Sequence, residues 1–319
     1  MVIHNDKYNF QSLLEIVAES LNMDVRIIEK DYWIVYALKR LSQYSYDDLI
    51  IFRGGTSLTK CYKDLKRFSE DIDLAININE DLSKSKIKKI MTDCEKYMCE
   101  SFKEINSKED KKTGSYRNVE YQYPTIFNSD GNLIELNPRL KIETVTFLHP
   151  NPFEKKEVNT FLYDYLKEND FDEVIEKYDL RPFEINVLSI KRTLIDKIVS
   201  LVRMSYEKDL NELTTKTRHL YDLHLTYADM KEFYYDKKEL TKIIDIVRKD
   251  EKNSLFKDKY PYLNKWSEAP LFKVIDSELI KNSYENKFGK EFVYGELPSF
   301  SDVLKSLFSI KEHLRNNNE

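Results

Sequence analysis

The sequence predicts an α+β protein, with a mixed or largely antiparallel sheet in its first half and a mainly helical second half. Three observations predict it. Short apolar runs bounded by turn residues recur within the first 150 residues. Amphipathic patterns of helical period dominate after Asn151-Pro152. Within the first half stands one strand–turn–helix–strand unit with paired acids, Phe52 to Leu74. With 319 residues, 41% hydrophobic and 34% charged, the chain can build two domains and is too apolar for disorder. The Asn151-Pro152 pair is the expected boundary, dividing 1–150 from 151–319.

Each element has its own signal. The first forty residues read as two helices, the second capped by Asp24 with Ile27, Ile34, Leu38 and Leu41 at helical spacing. Leu49-Ile50-Ile51-Phe52 is a short strand ending at Gly54-Gly55, and Thr56 to Leu65 reads as helix. Asp71 to Asn77 alternates as a second strand. Ile87, Ile90, Met91, Cys94, Tyr97 and Met98 mark an amphipathic helix from Lys84 to about Phe102. Asn118–Phe127 and Asn132–Phe147, separated by Ser129-Asp130-Gly131, read as a hairpin. Later, Phe183–Leu188 is one more strand, Ser189 caps a helix carrying Ile190, Leu194, Ile198 and Leu201, and further helices cover 217–228, 237–249 and 301–314.

Composition excludes several classes. A net charge of −5 does not suit a protein that coats nucleic acid, although the lysine runs Lys84–Lys89 and Lys108–Lys112 could touch a phosphate backbone. Cys61, Cys94 and Cys99 show no CxxC spacing and no nearby histidine, which reads as reduced thiols and not as a zinc site. The five histidines form no HxxxH or HExxH pattern. No apolar leader and no run of 18 apolar residues occurs, so a cytoplasmic, non-membrane protein is expected.

The chemistry is concentrated in FRGGTSLTKCYKDLKRFSEDIDL. Asp71 and Asp73 lie two apart on an expected strand, so their carboxylates are expected on one face. Paired acids repel unless a cation neutralises them, and hard oxygen donors suit Mg²⁺ (or Mn²⁺) held together with substrate phosphates. Gly54 and Gly55 let the backbone approach a phosphate at a helix start, where Thr56 and Ser57 add hydroxyls. Ser69 may be read as a turn cap or as a group near the phosphates. A lone DxD or a lone GG means little; the ordered combination is hard to reach by accident.

That combination resembles the AbiEii/AbiGii nucleotidyltransferase toxin family, including its MenT-type members. FRGGTSLTK (Phe52–Lys60) and RFSEDIDL (Arg67–Leu74) are similar to its first two signatures almost residue for residue. EKDYW (Glu29–Trp33), RTLIDKI (Arg192–Ile198) and RHLYDL (Arg218–Leu223) resemble further segments. The resemblance implies a DNA polymerase β-like nucleotidyltransferase domain, with the helical half completing the cleft. It implies Asp71 and Asp73 as metal ligands and catalytic groups, and Arg53, Gly54, Gly55, Thr56, Ser57, Lys60 and Ser69 around the nucleotide. Lys197 either snorkels to solvent beside its apolar stripe or neutralises a triphosphate, and the resemblance favours the second. Asp222 is either a partner of Lys197 or Arg218 or a direct active-site group. For a third carboxylate, Glu143 in LKIET is the choice and Glu135 in LIELN the competitor; Pro138 breaks the strand between them, so parity does not decide.

The implied activity is Mg²⁺-dependent transfer of NMP from an NTP to a hydroxyl, with a tRNA 3′ end as acceptor. The biological setting would be an abortive-infection, phage-defence type of toxin–antitoxin pair. A separately encoded antitoxin, often a winged-helix regulator, would be the partner. Two other readings keep the same site: a protein-modifying, AMPylating enzyme, and a nucleotide-binding regulator without turnover.

Overall fold

A computed structural model describes residues 1–62, 65–78, 82–105, 110–127, 137–207, 209–253 and 265–317. The chain divides into two units. Unit 1 comprises Met1–Cys61, Phe68–Thr146 and Phe153–Val187, and unit 2 comprises Tyr62–Arg67, Phe147–Pro152 and Leu188–Glu319.

Among the described residues the sheet has eight strands: β1 (Ile50–Arg53), β2 (Ile72–Ile76), β3 (Lys103–Ile105), β4 (Lys111–Lys112), β5 (Tyr116–Gln122), β6 (Arg139–Val145), β7 (Phe153–Val158) and β8 (Phe183–Leu188). Their order is β3-β5-β6-β2-β1-β8-β7, with β4 on β5. The sheet is mixed: β1 pairs antiparallel with β2 and parallel with β8, and β2 pairs parallel with β6. β5 and β6 form the expected antiparallel pair, from Tyr116↔Val145 to Gln122↔Arg139. The expected Ser129-Asp130-Gly131 turn lies outside the described residues. β7 had no clear sequence signal, because FEKKEV lacks an alternating apolar face.

Sheet positions follow alternation. Ile72, Leu74, Ile142 and Thr144 are fully buried, while Asp73 and Glu143 between them are partly exposed. Asp71 departs from expectation. β2 starts at Ile72, so Asp71 ends the incoming loop and strand parity governs Asp73 alone.

The helices of unit 1 are α1 (Lys7–Leu21), α2 (Val25–Leu41), α3 (Gly54–Cys61), α4 (Lys84–Met98), α5 (Phe161–Glu168) and α6 (Asp172–Tyr178). Asp24 caps α2 as expected, its carboxylate accepting from the Arg26 N–H at 2.9 Å. α3 and α4 each end four residues before the expected limit. α2 packs against α1, α4 and α5, and every residue from Ile28 to Val35 is buried. A helix buried on all sides must find partners for its polar groups, and EKDYW supplies three charges there.

Unit 2 holds α7 (Ile190–Met204), α8 (Asn211–Thr214), α9 (Thr217–Tyr227), α10 (Lys231–Tyr235), α11 (Lys237–Asn253), α12 (Leu271–Val274), α13 (Glu278–Asn282), α14 (Gly289–Phe292) and α15 (Phe300–Asn316). The Ser189 hydroxyl caps α7 by accepting from the Arg192 N–H at 3.3 Å. α7 packs on α9 and α11, and α15 packs on α9. Among the described residues no helix is long and apolar enough to cross a membrane.

Candidate active site

Strand register brings the unit 1 candidates together. Arg53 on β1 stands opposite Asp73 on β2, Asp73 opposite Glu143 on β6, and Glu143 opposite Asn118 on β5. Residues directly opposite one another share a face, so the four form one row across four adjacent strands. The Arg53 guanidinium lies 3.5 Å from Glu143 Oε1, and the Tyr116 hydroxyl donates to Glu143 Oε2 at 2.9 Å. Burial, with Glu143 beside it, raises the Tyr116 phenol well above its ordinary value. It is a fixed donor at pH 7. Glu135, the competing carboxylate, lies outside the described residues.

The turn from β1 into α3 is built against this row. Gly54 has φ +81°, a conformation that L side chains rarely adopt. A β-carbon at Gly54 would also collide with the Asp73 carboxylate. The glycine is therefore required twice, by its backbone and by the acid packed across it. Gly55 follows inside the first turn of α3.

The α3 hydroxyls point inward. Thr56 is buried, and its hydroxyl donates to the Asp71 carbonyl at 2.5 Å and lies 3.0 Å from the Ser69 hydroxyl. This ties the helix start to the loop that carries Asp71. Ser57 is fully buried and donates to the Gly54 carbonyl at 2.9 Å, bracing the turn. Both hydroxyls, expected as phosphate donors, hold the backbone in shape.

Lys60 also faces inward. Its ammonium pairs with Asp31 and lies 4.5 Å over the Phe161 ring, while the second Asp31 oxygen accepts from the Phe161 N–H at 2.9 Å. Lys30 pairs with Glu70, the neighbour of Asp71, at 2.5 Å. Glu29 accepts from the Thr125 hydroxyl at 2.6 Å and the Ile126 N–H at 2.9 Å, and burial raises its carboxyl in spite of them. EKDYW is thus the brace beneath both signatures. The sequence signal was available, since consecutive charges on a core-packed helix need buried partners.

The later candidates meet inside unit 2. Asp222 on α9 accepts two bonds from Arg67, Nε to Oδ1 at 2.6 Å and Nη2 to Oδ2 at 2.8 Å. Lys197 Nζ on α7 lies 2.7 Å from the same Oδ2. All three side chains are buried. Burial pushes the Asp222 carboxyl up, but Arg67 and Lys197 outweigh it and hold the group below the ordinary carboxylate value. Burial lowers the Lys197 ammonium, which Asp222 only partly offsets. Lys197 therefore neither snorkels to solvent nor stands alone; it pairs with Asp222, one of the two roles read for that acid. Arg67, and not Arg218, is the second partner. Its segment is fixed in unit 2 by a bridge to Val293 and by the Tyr294 N–H, which donates to the Lys66 carbonyl at 3.1 Å.

A further buried network surrounds Arg192, the first residue of RTLIDKI. It reaches Asp250 at 2.6 Å and Asp196 at 2.9 Å and donates to the His149 carbonyl at 3.1 Å. His149 Nδ1 is 2.7 Å from Asp250. No spacing in the sequence links residues 58 apart, so this network was invisible there. The three cysteines are free thiols; Cys94 and Cys99 are buried, and burial pushes Cys61 up to about 12. None is activated as a nucleophile.

Among the described residues no group of three or more His, Cys, Asp or Glu is arranged to hold a metal ion. The row's carboxylates, Asp73 and Glu143, are hard oxygen donors of the kind magnesium takes, one or two at a time with its shell completed from phosphate and water.

Among curated proteins, none matches the chain. The fold overlays on the crystal structure of a candidate nucleotidyltransferase from H. pylori, 16% identical, covering 92% of this chain and 98% of that one with a TM-score of 0.42. A likeness at that level carries no functional argument. The family described as nucleotidyl transferase AbiEii toxin, type IV toxin–antitoxin system, matches residues 36–306, and the chain belongs to it: this is a nucleotidyltransferase toxin.

Proposed function

We propose that the Asp71–Asp73 end of the sheet transfers a nucleoside monophosphate from an NTP to an acceptor hydroxyl, the 3′ end of a tRNA, and that the toxin thereby halts translation in the bacterial cytoplasm until its antitoxin counters it. The observation that carries the reading is the row Arg53–Asp73–Glu143 with the Gly54 turn packed on Asp73. Acids at the mouth of a glycine turn and helix start are what a triphosphate and its counter-ion require.

In this reading the acceptor oxygen bonds to the α-phosphorus, the bond from that phosphorus to the bridging oxygen breaks, and pyrophosphate leaves. Mg²⁺ held by Asp71 and Asp73 would neutralise charge on the transferring phosphoryl group. Glu143, held by Tyr116 and Arg53, takes the proton of the acceptor hydroxyl in this reading. The N–H groups at Gly54 and Gly55 and the Arg53 guanidinium favour phosphate oxygens. Thr56, Ser57, Lys60 and Ser69 act by holding those groups in place. Lys197 and Asp222 belong to the proposed catalytic set through RTLIDKI and RHLYDL; the support within unit 2 is their direct pairing and the net positive charge of their cluster.

The test is incubation with Mg²⁺, total bacterial RNA and each α-labelled NTP. Label on tRNA-sized RNA supports the reading and names the nucleotide. Label on protein instead would replace it with the protein-modifying reading, and label on neither with the non-catalytic one.

A further inference from the structure

Unit 2 holds a pocket of about 360 Å³ that none of the signatures reaches. Its walls are Tyr227 at the end of α9, Tyr234 and Tyr235 on α10, and His313 and Asn317 at the end of α15. The His313 ring stacks with Tyr234 at 5.9 Å and 20° between planes, and meets Tyr235 edge-on at 4.5 Å. Tyr227 OH and His313 Nε2 are hydrogen-bonded at 3.2 Å, which fixes the imidazole. Burial lowers the His313 imidazole, leaving it neutral at pH 7.

Two features ask for a ligand. Tyr235 leaves 69% of its surface exposed, a large aromatic ring left uncovered at the pocket. Tyr234, by contrast, is 1% exposed, and its hydroxyl is buried with no hydrogen-bond partner among the described residues. The amide oxygen and nitrogen of Asn317 are buried and unpartnered in the same way. Buried polar groups of native folds are paired with protein, water or ligand, and here these donors and acceptors lie together on one pocket.

The chemistry narrows the class. A phosphate alone gains nothing from aromatic walls. A cation is disfavoured, because the lining carboxylate, Glu312, is paired with Arg315, and a lysine, Lys237, also lines the pocket. What remains are a neutral π surface, a hydroxyl, and an amide that donates and accepts. They match a flat heterocycle with donors and acceptors on its edge. The exposed Lys237 can meet a phosphate attached to that ring.

We propose that this pocket binds a nucleobase, stacked on Tyr235 and hydrogen-bonded at its edge by the Tyr234 hydroxyl and the Asn317 amide. The base could come from an unpaired position of an RNA strand or from a free nucleotide. Only the first source rests on the RNA-acceptor reading.

The experiment measures fluorescence anisotropy of a labelled single-stranded oligoribonucleotide and of an abasic strand of equal length, without NTP or Mg²⁺, so that transfer plays no part. The full chain should prefer the base-bearing strand by about tenfold, as one stacked base predicts. Tyr235→Ala should erase that preference. Tyr234→Phe should weaken it several-fold while the melting temperature holds or rises, since an unpaired buried hydroxyl has been removed. Nucleoside monophosphates that bind in a Tyr235-dependent way, with no strand preference, would assign the pocket to a free nucleotide. Equal affinity for both strands without nucleotide binding, or a preference that survives both substitutions, would overturn the proposal. If base-dependent binding holds while labelled NTP never reaches RNA, the acceptor reading fails and the pocket stands.

Discussion

Two clusters of opposite charges, one on the sheet of unit 1 and one among the helices of unit 2, are built on opposite principles. In the first, Arg53, Asp73 and Glu143 are partly exposed, and Glu143 meets Arg53 at 3.5 Å and a tyrosine hydroxyl at 2.9 Å. In the second, Arg67, Asp222 and Lys197 are buried with contacts of 2.6 to 2.8 Å. Acids open to solvent remain able to bind a cation and a phosphate. A carboxylate locked between two buried cations has little freedom left, and its removal is expected to cost stability. Similar residue types thus do different work, and burial decides which.

This contrast can be broken or sharpened by substitution. The largest effect on stability is expected for Asp222→Ala, which leaves Arg67 and Lys197 buried without their carboxylate. Breaking such a cluster costs roughly 3–5 kcal/mol, to be read from urea denaturation. A loss below about 1 kcal/mol would show that the cluster is not a stability element.

Gly54→Ala comes next. The strained φ and the collision with Asp73 should destabilise by about 2 kcal/mol and lower transfer by roughly a hundredfold. Normal activity in this variant would mean that the turn does not hold Asp73.

A pH effect follows from His219, whose imidazole is held well below its ordinary value by burial first and then by Lys197, Lys216, Arg218 and Arg67. The folded chain keeps this ring neutral, whereas the unfolded chain takes up a proton below about pH 6.5. Its contribution is therefore present above pH 6.5 and declines below it, by up to about 1.4 kcal/mol per pH unit. His219→Gln should flatten the denaturation-derived slope between pH 6.5 and 5 by that amount. The smallest effect is expected for Tyr116→Phe, which deletes one bond to Glu143: about 1 kcal/mol of stability and at most a tenfold loss of transfer.

The same contrast explains what the sequence could reveal. Local devices were legible: the Asp24 and Ser189 caps, the strand–glycine–helix order at residues 50–61, the β5–β6 pair and the helices after residue 190. They were legible because period and capping act over a few residues. Asp73 and Glu143 were named as candidates, but that they share a row required the parallel register of β2 and β6, which no spacing encodes. Asp71 was misplaced onto the strand because alternation does not mark where a strand begins. The inward turn of Thr56, Ser57 and Lys60 was missed because a hydroxyl or ammonium looks the same in sequence whether it meets a phosphate or a buried acid. Partners far apart in the chain, such as Arg67 with Asp222 and Lys60 with Asp31, became visible only once the chain had folded.

The most direct test pairs two readings on Asp73→Asn, an exchange that keeps shape and removes charge. Transfer of labelled NMP should fall on the order of 10⁴-fold, while the melting temperature stays within about 2 °C of the parent, as expected for a partly exposed acid. Retained transfer, or a loss of transfer that merely tracks a loss of folding, would contradict the claim that this carboxylate performs the chemistry.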